Sequence, residues 1–381
     1  MRRSTGTWSR PDGRRSSRRH EEIRRTDLRD AAVLSAACRL HARLRGDLGN
    51  GWLSNDGPVL RRFHRALAAY LNEPETNLAL FNNGTSALEL AYRVAGFDGG
   101  EVITTPFTFV ATSHALVRCG AKPVFADIDP DTLCLDPAKC EALVRPGVTR
   151  GIVPVHVYGH VCDIDGFRAL ADRRGLKVVY DAAHAFGVPG VARHGDISMF
   201  SLHPTKLFHS AEGGLLVFRD PALQERLFEL RDFGIRSEEE CVAVGANAKM
   251  NEFQALMGLE CLKRIDDLVA RRQAIHAAYA SVFRSAAGVR LLDCSRNHAY
   301  EPVLFADRAT RDRVYEGLKS ANVFARKYFF PLLTDFAPYA SAHGTCPVAE
   351  DVASRVLTLP TYFDLPPETA AEIARIVLEL V

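Results

Sequence analysis

A chain of 381 residues with 47% hydrophobic and 25% charged content is long enough to bury one large core and a smaller second one. Its apolar runs all fall short of a membrane span, and no signal-type apolar core follows the start. The formal charge of +2 is uneven: the first thirty residues hold ten Arg against five acidic residues, so the rest is net acidic and carries no electrostatic footprint for nucleic acid.

Nine cysteines (Cys38, Cys119, Cys134, Cys140, Cys162, Cys241, Cys261, Cys294, Cys346) are scattered without a C-x-x-C pair. Their spacing predicts free thiols in a reducing cytosol, with neither a disulfide framework nor a metal site. Residues 1–27 are Arg-, Ser- and Gly-rich with almost no apolar periodicity, which predicts a disordered extension or a start that lies further downstream. A nucleic-acid tail would interleave aromatics and offers only Trp8. A twin-arginine signal would need an apolar segment after Arg3, and a transit peptide would be amphipathic.

From Asp30 to Leu48 apolar residues recur at helical spacing until Gly49-Asn50-Gly51. Turn chemistry over Trp52–Pro58 precedes a second amphipathic helix, Val59–Leu71. Strands then alternate with helices. The strands are Leu78–Phe81, Glu101–Thr104, Lys122–Ala126, Gly151–His156 and the run ending at Asp181; the helices are Ala87–Val94, Val110–Cys119 and Asp163–Arg174. This pattern predicts an α/β fold of parallel βαβ units. The runs Asp196–Phe200 and Gly214–Phe218 are close together and predict antiparallel or edge strands. One long bridging helix is predicted over 250–283, then an α+β part from Gly288 with a strand near Tyr300–Phe305. The predicted units are 1–27, 28–250 and 251–381.

Two residues carry the chemistry. Asp181 ends one apolar run, and Lys206 follows another, Ile197–Ser201. In an open α/β sheet the strand carboxyl ends form the ligand crevice. An acid and an amine delivered there suit pyridoxal phosphate (PLP), because a Lys can form a Schiff base with the cofactor aldehyde and an Asp can keep the pyridine nitrogen protonated. Alone, the pair also reads as a loop Lys and a helix-capping Asp. Asn83-Gly84-Thr85-Ser86 passes from strand to helix and suits a phosphate, although an ordinary cap has the same composition. Phe107 and Phe109 follow the second strand as either core or cofactor-covering rings. His156, His203 and His209 read as core residues, with His203 bordering the site as the alternative.

Asp181-Ala-Ala-His184, Ser201-Leu-His203-Pro-Thr205-Lys206, Glu212-Gly213-Gly214 and Gly245-Ala-Asn247-Ala-Lys249-Met250-Asn251-Glu252 occur in that order. Together they resemble the sugar aminotransferase family often called DegT/DnrJ/StrS, a branch of the fold-type-I PLP enzymes, from about Gly51 to the C-terminus. Members usually begin near the point matching Leu28. The resemblance implies a large mixed, mostly parallel sheet between helices with a smaller α+β part. It implies Lys206 as the residue that binds PLP and moves the proton, and Asp181 and His184 on the pyridine side. Phe109 would lie against the ring, with Gly84, Thr85, Ser86 and Ser201 at the phosphate. Asn247 would reach the neighbouring subunit's phosphate, making a homodimer with shared sites. Lys249, Arg236, Arg326 and Tyr328 would flank the substrate.

The words around Lys206 and Asn247 look most like the branch that aminates dTDP-4-keto-6-deoxy-glucose, with L-glutamate as donor. Amination at C-3, a GDP- or UDP-sugar, or a keto-inositol are the alternatives within the family. Lys206 argues against the dehydratases, which carry His there. Pro204 departs from the commoner Ala, with no expected loss of chemistry. A regulatory or nucleic-acid-binding protein on the same fold is the non-enzymatic alternative, and it gives no reason to keep Asp181 and Lys206 together.

Overall fold

The computed structural model describes residues 48–49, 51–293, 297–340 and 345–381. The Arg-rich extension and nearly all of the helix expected over 30–48 lie outside the described residues.

Seven short strands form the main sheet: β1 (Leu78–Phe81), β2 (Glu101–Thr104), β3 (Lys122–Phe125), β4 (Thr149–Val153), β5 (Lys177–Asp181), β6 (Ile197–Ser201) and β7 (Gly214–Phe218). Their order is β1-β7-β6-β5-β4-β2-β3. All neighbours are parallel except β7, which runs antiparallel between β1 and β6. Successive side chains point to opposite faces, so Leu78 and Leu80 join one apolar layer while Ala79 and Phe81 join the other. Helices cover both faces, as a sheet of largely parallel strands requires.

The expectation for the two runs after Asp181 is met only in part. β7 is antiparallel, but β6 continues the parallel set beside β5, and β1 and β3 form the edges. The reason is the connection from Ala182 to Asp196: it is long enough to cross over the sheet without a full helix, and it contains only the 3-10 turn Val191–Arg193. The helix predicted over 250–283 is also two helices, Glu252–Leu262 and Ile265–Phe283. The first is started by a capping box between Asn251 and Gln254. Its Leu256 belongs to the layer under the helix Pro58–Leu71, whereas Ile275, Tyr279 and Phe283 belong to the C-terminal core. The break at Lys263–Arg264 separates these two packing duties.

A small hairpin follows β7, β8 (Ile235–Ser237) with β9 (Glu240–Cys241). The C-terminal part holds a three-stranded antiparallel sheet of β10 (Val289–Leu291), β11 (Glu301–Phe305) and β12 (Val356–Leu359). Val303 and Phe305 pack with Ile373 and Val377 from the last helix, Pro367–Leu380. Asp127, just beyond β3, ties this part to the main sheet. Its carboxylate accepts the amides of Val348 (3.0 Å) and Ala349 (2.9 Å) at the start of the helix Pro347–Arg355. The cysteines among the described residues are free. No helix among the described residues is long and apolar enough to cross a membrane.

Candidate active site

A cavity of about 630 Å³ opens at the carboxyl ends of β1, β5 and β6 and contains both Asp181 and Lys206. Register alone brings these ends together, since Asp181 pairs with Met199, and Ser201 and Phe81 both pair with Gly214. Gly214 is required there, because a Cβ would run into the carbonyl group of Asn83.

Asp181 is buried. Its Oδ2 accepts the Thr112 hydroxyl (2.8 Å) and its Oδ1 accepts the Ala183 amide (3.0 Å). Burial pushes its pKa up, while Thr112, Ala183 and the amine of Lys206 act in the opposite direction. His184 is buried too, and its Nδ1 accepts the Tyr158 amide at 3.1 Å, so Nε2 carries the proton of the neutral ring. Burial first, then Lys206, pulls its pKa well below the ordinary imidazole value. Its ring stacks parallel to Phe329 (5.8 Å) and lies 4.5 Å from the Tyr300 ring.

Lys206 sits in the turn after β6, its amide bonded to the His203 carbonyl group (2.9 Å), and its Nζ donates to the Tyr300 hydroxyl at 3.1 Å. At the opposite end the helix Gly84–Val94 directs its N-terminus at the cavity. It begins three residues earlier than predicted, because the Asn83 side chain accepts the Ser86 amide (2.8 Å). Gly84 lies so close to Ser201 that an added Cβ would stand 3.3 Å from the Ser201 Cβ and 3.4 Å from its Oγ. Gly84, Thr85 and Ser201 therefore form a small polar cradle at the positive end of a helix.

PLP fits this donor set. The cradle matches a phosphate, the amine matches an aldehyde, and the buried carboxylate of Asp181 calls for a cation such as a protonated ring nitrogen. Phe109 is 55% exposed and lines the cavity, whereas Phe107 is fully buried edge-on to Tyr158 and Phe329, so the two aromatics divide into cavity wall and core. From the C-terminal part Arg326 and Tyr328 line the cavity, the Arg326 Nη1 donating to the Tyr328 hydroxyl at 2.6 Å.

Several expected residues are not brought in. Ser86 lines an adjoining hollow with Arg118 and Glu212. Lys249 is ion-paired with Asp232 over the Phe233 ring, and Arg236 pairs with Glu229 (2.7 Å) and Glu240 (3.3 Å). Both cations are already matched by acids on their own surface. Asn247 is exposed outside the cavity, with its carbonyl group accepting from the Asn82 side chain (3.2 Å). His156 and His209 are core residues as expected, but His203 is partly exposed and lines the cavity.

Sequence reading missed Thr112, Tyr158 and Tyr300. Thr112 does carry a weak signal, since Thr108 lies one helical turn before it and the two hydroxyls meet at 2.9 Å. The others reach the site from remote segments with no local pattern.

Residues 38–378 match the DegT/DnrJ/EryC1/StrS aminotransferase family. The dTDP-4-amino-4,6-dideoxy-D-glucose transaminase of Shigella dysenteriae is 38% identical over 328 residues, covering 83% of this chain and 88% of that enzyme. Among solved structures, DesI determined in the presence of its TDP-sugar product aligns with a TM-score of 0.84 at 38% identity over 90% of each chain. NtdA of Bacillus subtilis, with bound cofactor PMP, aligns with a TM-score of 0.82 at 25% identity, covering 91% of this chain and 82% of that one. A family match over most of the chain, joined to an acid, an amine and a polar helix-terminal cradle in one cavity, makes this protein a PLP-dependent member of the DegT/DnrJ/EryC1/StrS aminotransferase family.

Proposed function

We propose that the enzyme moves an amino group from L-glutamate to C-4 of a nucleotide-linked 4-keto-6-deoxy sugar, dTDP-4-keto-6-deoxy-glucose being the expected acceptor. The observation that carries this reading is the shared cavity of Asp181, Lys206 and Arg326, taken with the likeness to a transaminase of that sugar. The cofactor, when bound, supplies an electron-accepting ring.

This chain's own residues do the rest. Asp181 keeps the ring nitrogen protonated. Lys206 would hold the aldehyde carbon and, once released from it, its amine would serve as the base that moves the substrate proton. The Tyr300 hydroxyl, 3.1 Å from that amine, steers it. The neutral ring of His184 closes the site beside Asp181 and adds no second cation. Gly84, Thr85 and Ser201 take the phosphate, and Phe109 shields the ring from water. Arg326, with Tyr328, supplies positive charge for the diphosphate of the substrate. Incubation with PLP, glutamate and a panel of nucleotide-linked keto sugars tests the reading by NMR of the product. An axial or equatorial amine at C-4 of the dTDP sugar supports it, and an amine at C-3 or on an inositol replaces it.

We infer a cytoplasmic homodimer in which Asn247 serves the partner's phosphate cradle. Its exposure supports this, as do the exposed apolar residues Trp52, Leu53, Phe233, Val244 and Phe253. Mixing inactive Lys206→Ala and Asn247→Ala chains should restore activity, because a hybrid dimer then has one site with both residues intact. Failure of the mixture to regain activity, with exchange of subunits verified, removes the shared site.

A further inference from the structure

We propose that His276, His298 and Glu301 form a binding site for one divalent transition-metal ion of the zinc type. The site lies behind the segment whose Tyr300 holds the Lys206 amine. The cysteine pattern predicts no metal site; this one is built from imidazoles and a carboxylate that only the fold brings together, His276 from the helix Ile265–Phe283 and the other two from the head of β11. One ligand atom from each residue lies within 4.8 Å of the other two. Four-coordinate zinc, with nitrogen and oxygen ligands at about 2.0–2.2 Å, sets its ligand atoms about 3.4 Å apart. Side-chain adjustments of about 1 Å therefore close the set.

Two of the donors are buried and unpartnered. Glu301 is fully buried and, among the described residues, its Oε1 accepts no hydrogen bond and the buried Nδ1 of His298 has no partner either. Buried polar atoms are rarely left so, because each forfeits its hydration without replacement. A cation between them satisfies both at once. His276 is turned as metal-bound imidazoles are. Its Nδ1 faces the Glu301 Oε2 at 2.9 Å, and its Nε2 lies 3.8 Å from the exposed carboxylate of Asp293. Binding takes the neutral His276 tautomer whose single proton sits on Nε2, on the side of the outer carboxylate, so that the Nδ1 lone pair is free for the ion. The rings of His276 and His298 are 4.6 Å apart, centre to centre. The neighbouring guanidinium of Arg272 is engaged with the Ala299 carbonyl group (2.8 Å).

Tyr300 and Glu301 are successive residues, and they serve opposite sides: the tyrosine meets Lys206 and the glutamate meets His276. A metal at the rear would fasten the Ile265–Phe283 helix to the strand head that presents Tyr300. Asn297 already fastens the same segment to the His184 carbonyl group (2.9 Å) and the Phe186 carbonyl group (2.8 Å). The site does not depend on which sugar is aminated.

The test uses the full-length, PLP-loaded protein after treatment with a chelator. It is titrated with Zn(II) by calorimetry and with Co(II) by visible absorption. The expected result is one equivalent bound, with cobalt d–d bands but no thiolate charge-transfer band. Glu301→Gln and His298→Ala should each weaken Zn(II) binding at least about tenfold, and Cys241→Ser should leave it unchanged. His298 is only partly buried, so His298→Ala keeps the test open if Glu301→Gln misfolds. No binding by the parent protein, binding unchanged in His298→Ala, or a thiolate-type cobalt spectrum would overturn the proposal.

Discussion

On the sheet side of the cavity, Asp181, Ser201 and Lys206 hang from the ends of adjacent strands whose register is fixed by backbone hydrogen bonds. On the opposite side, Tyr300, Arg326, Tyr328 and Phe329 arrive from segments flanking the C-terminal sheet. Side-chain contacts hold several of them: Asn297 to the His184 and Phe186 carbonyl groups, and the Tyr158 hydroxyl to the Tyr328 carbonyl group. The backbone of Arg326 also pairs with Thr358 in both directions (3.0 and 2.8 Å). The first wall is fixed by the sheet. The second can be re-shaped residue by residue without disturbing the sheet. On the function proposed above, bond-making chemistry falls to the first wall and choice of substrate to the second.

The strongest way to sharpen this contrast is Asp181→Asn. The neutral amide keeps the shape but removes the charge opposite the ring nitrogen, and kcat should fall by about 10²- to 10³-fold with little change in sugar KM. Arg326→Ala should do the reverse, raising the KM for the nucleotide sugar by about tenfold to a hundredfold with kcat nearly unchanged, as steady-state kinetics would reveal. A fall in kcat alone would instead move Arg326 to the chemical wall. Tyr300→Phe joins the two sides and should cost about tenfold in kcat, since it removes one hydrogen bond to the Lys206 amine.

The smallest effect concerns pH. Because burial raises the Asp181 pKa in the folded cofactor-free chain, its contribution to stability is fully present below the ordinary carboxylate pKa. It is lost as pH rises through the higher folded value. Thermal melts of the cofactor-free parent and Asp181→Asn should therefore show the parent losing ground to the variant as pH rises from about 4 to 7. PLP should reduce that difference by supplying the missing cation. Parallel pH profiles would mean that Asp181 titrates alike in both states.

The two walls also differ in how far they can be read from sequence. Asp181 and Lys206 were legible because an apolar run followed by a polar residue marks a strand end, and strand ends share one edge. Gly84 and Thr85 were legible for a similar reason, as a strand-to-helix turn. Tyr300 was not, since the residue that it meets is 94 positions away and only the packing of the C-terminal part brings it there. Thr112 is 69 positions from the carboxylate that it supports. Lys249 misled because a cation beside a family word looks like a phosphate ligand, while its partner Asp232 lies 17 residues earlier across a turn. The break at Lys263–Arg264 was hidden because apolar residues continue on both sides of it, and only their different packing partners require two helices.

On the proposed function, Lys206 is the amine that holds PLP in a cavity shared with Asp181. Borohydride reduction of the PLP-loaded protein, followed by peptide mapping, tests it most directly. One cofactor-derived mass per chain is expected on the peptide containing Lys206, absent after pretreatment with L-glutamate. A label on any other lysine, or none on that peptide in a protein that still transfers the amino group, would contradict it.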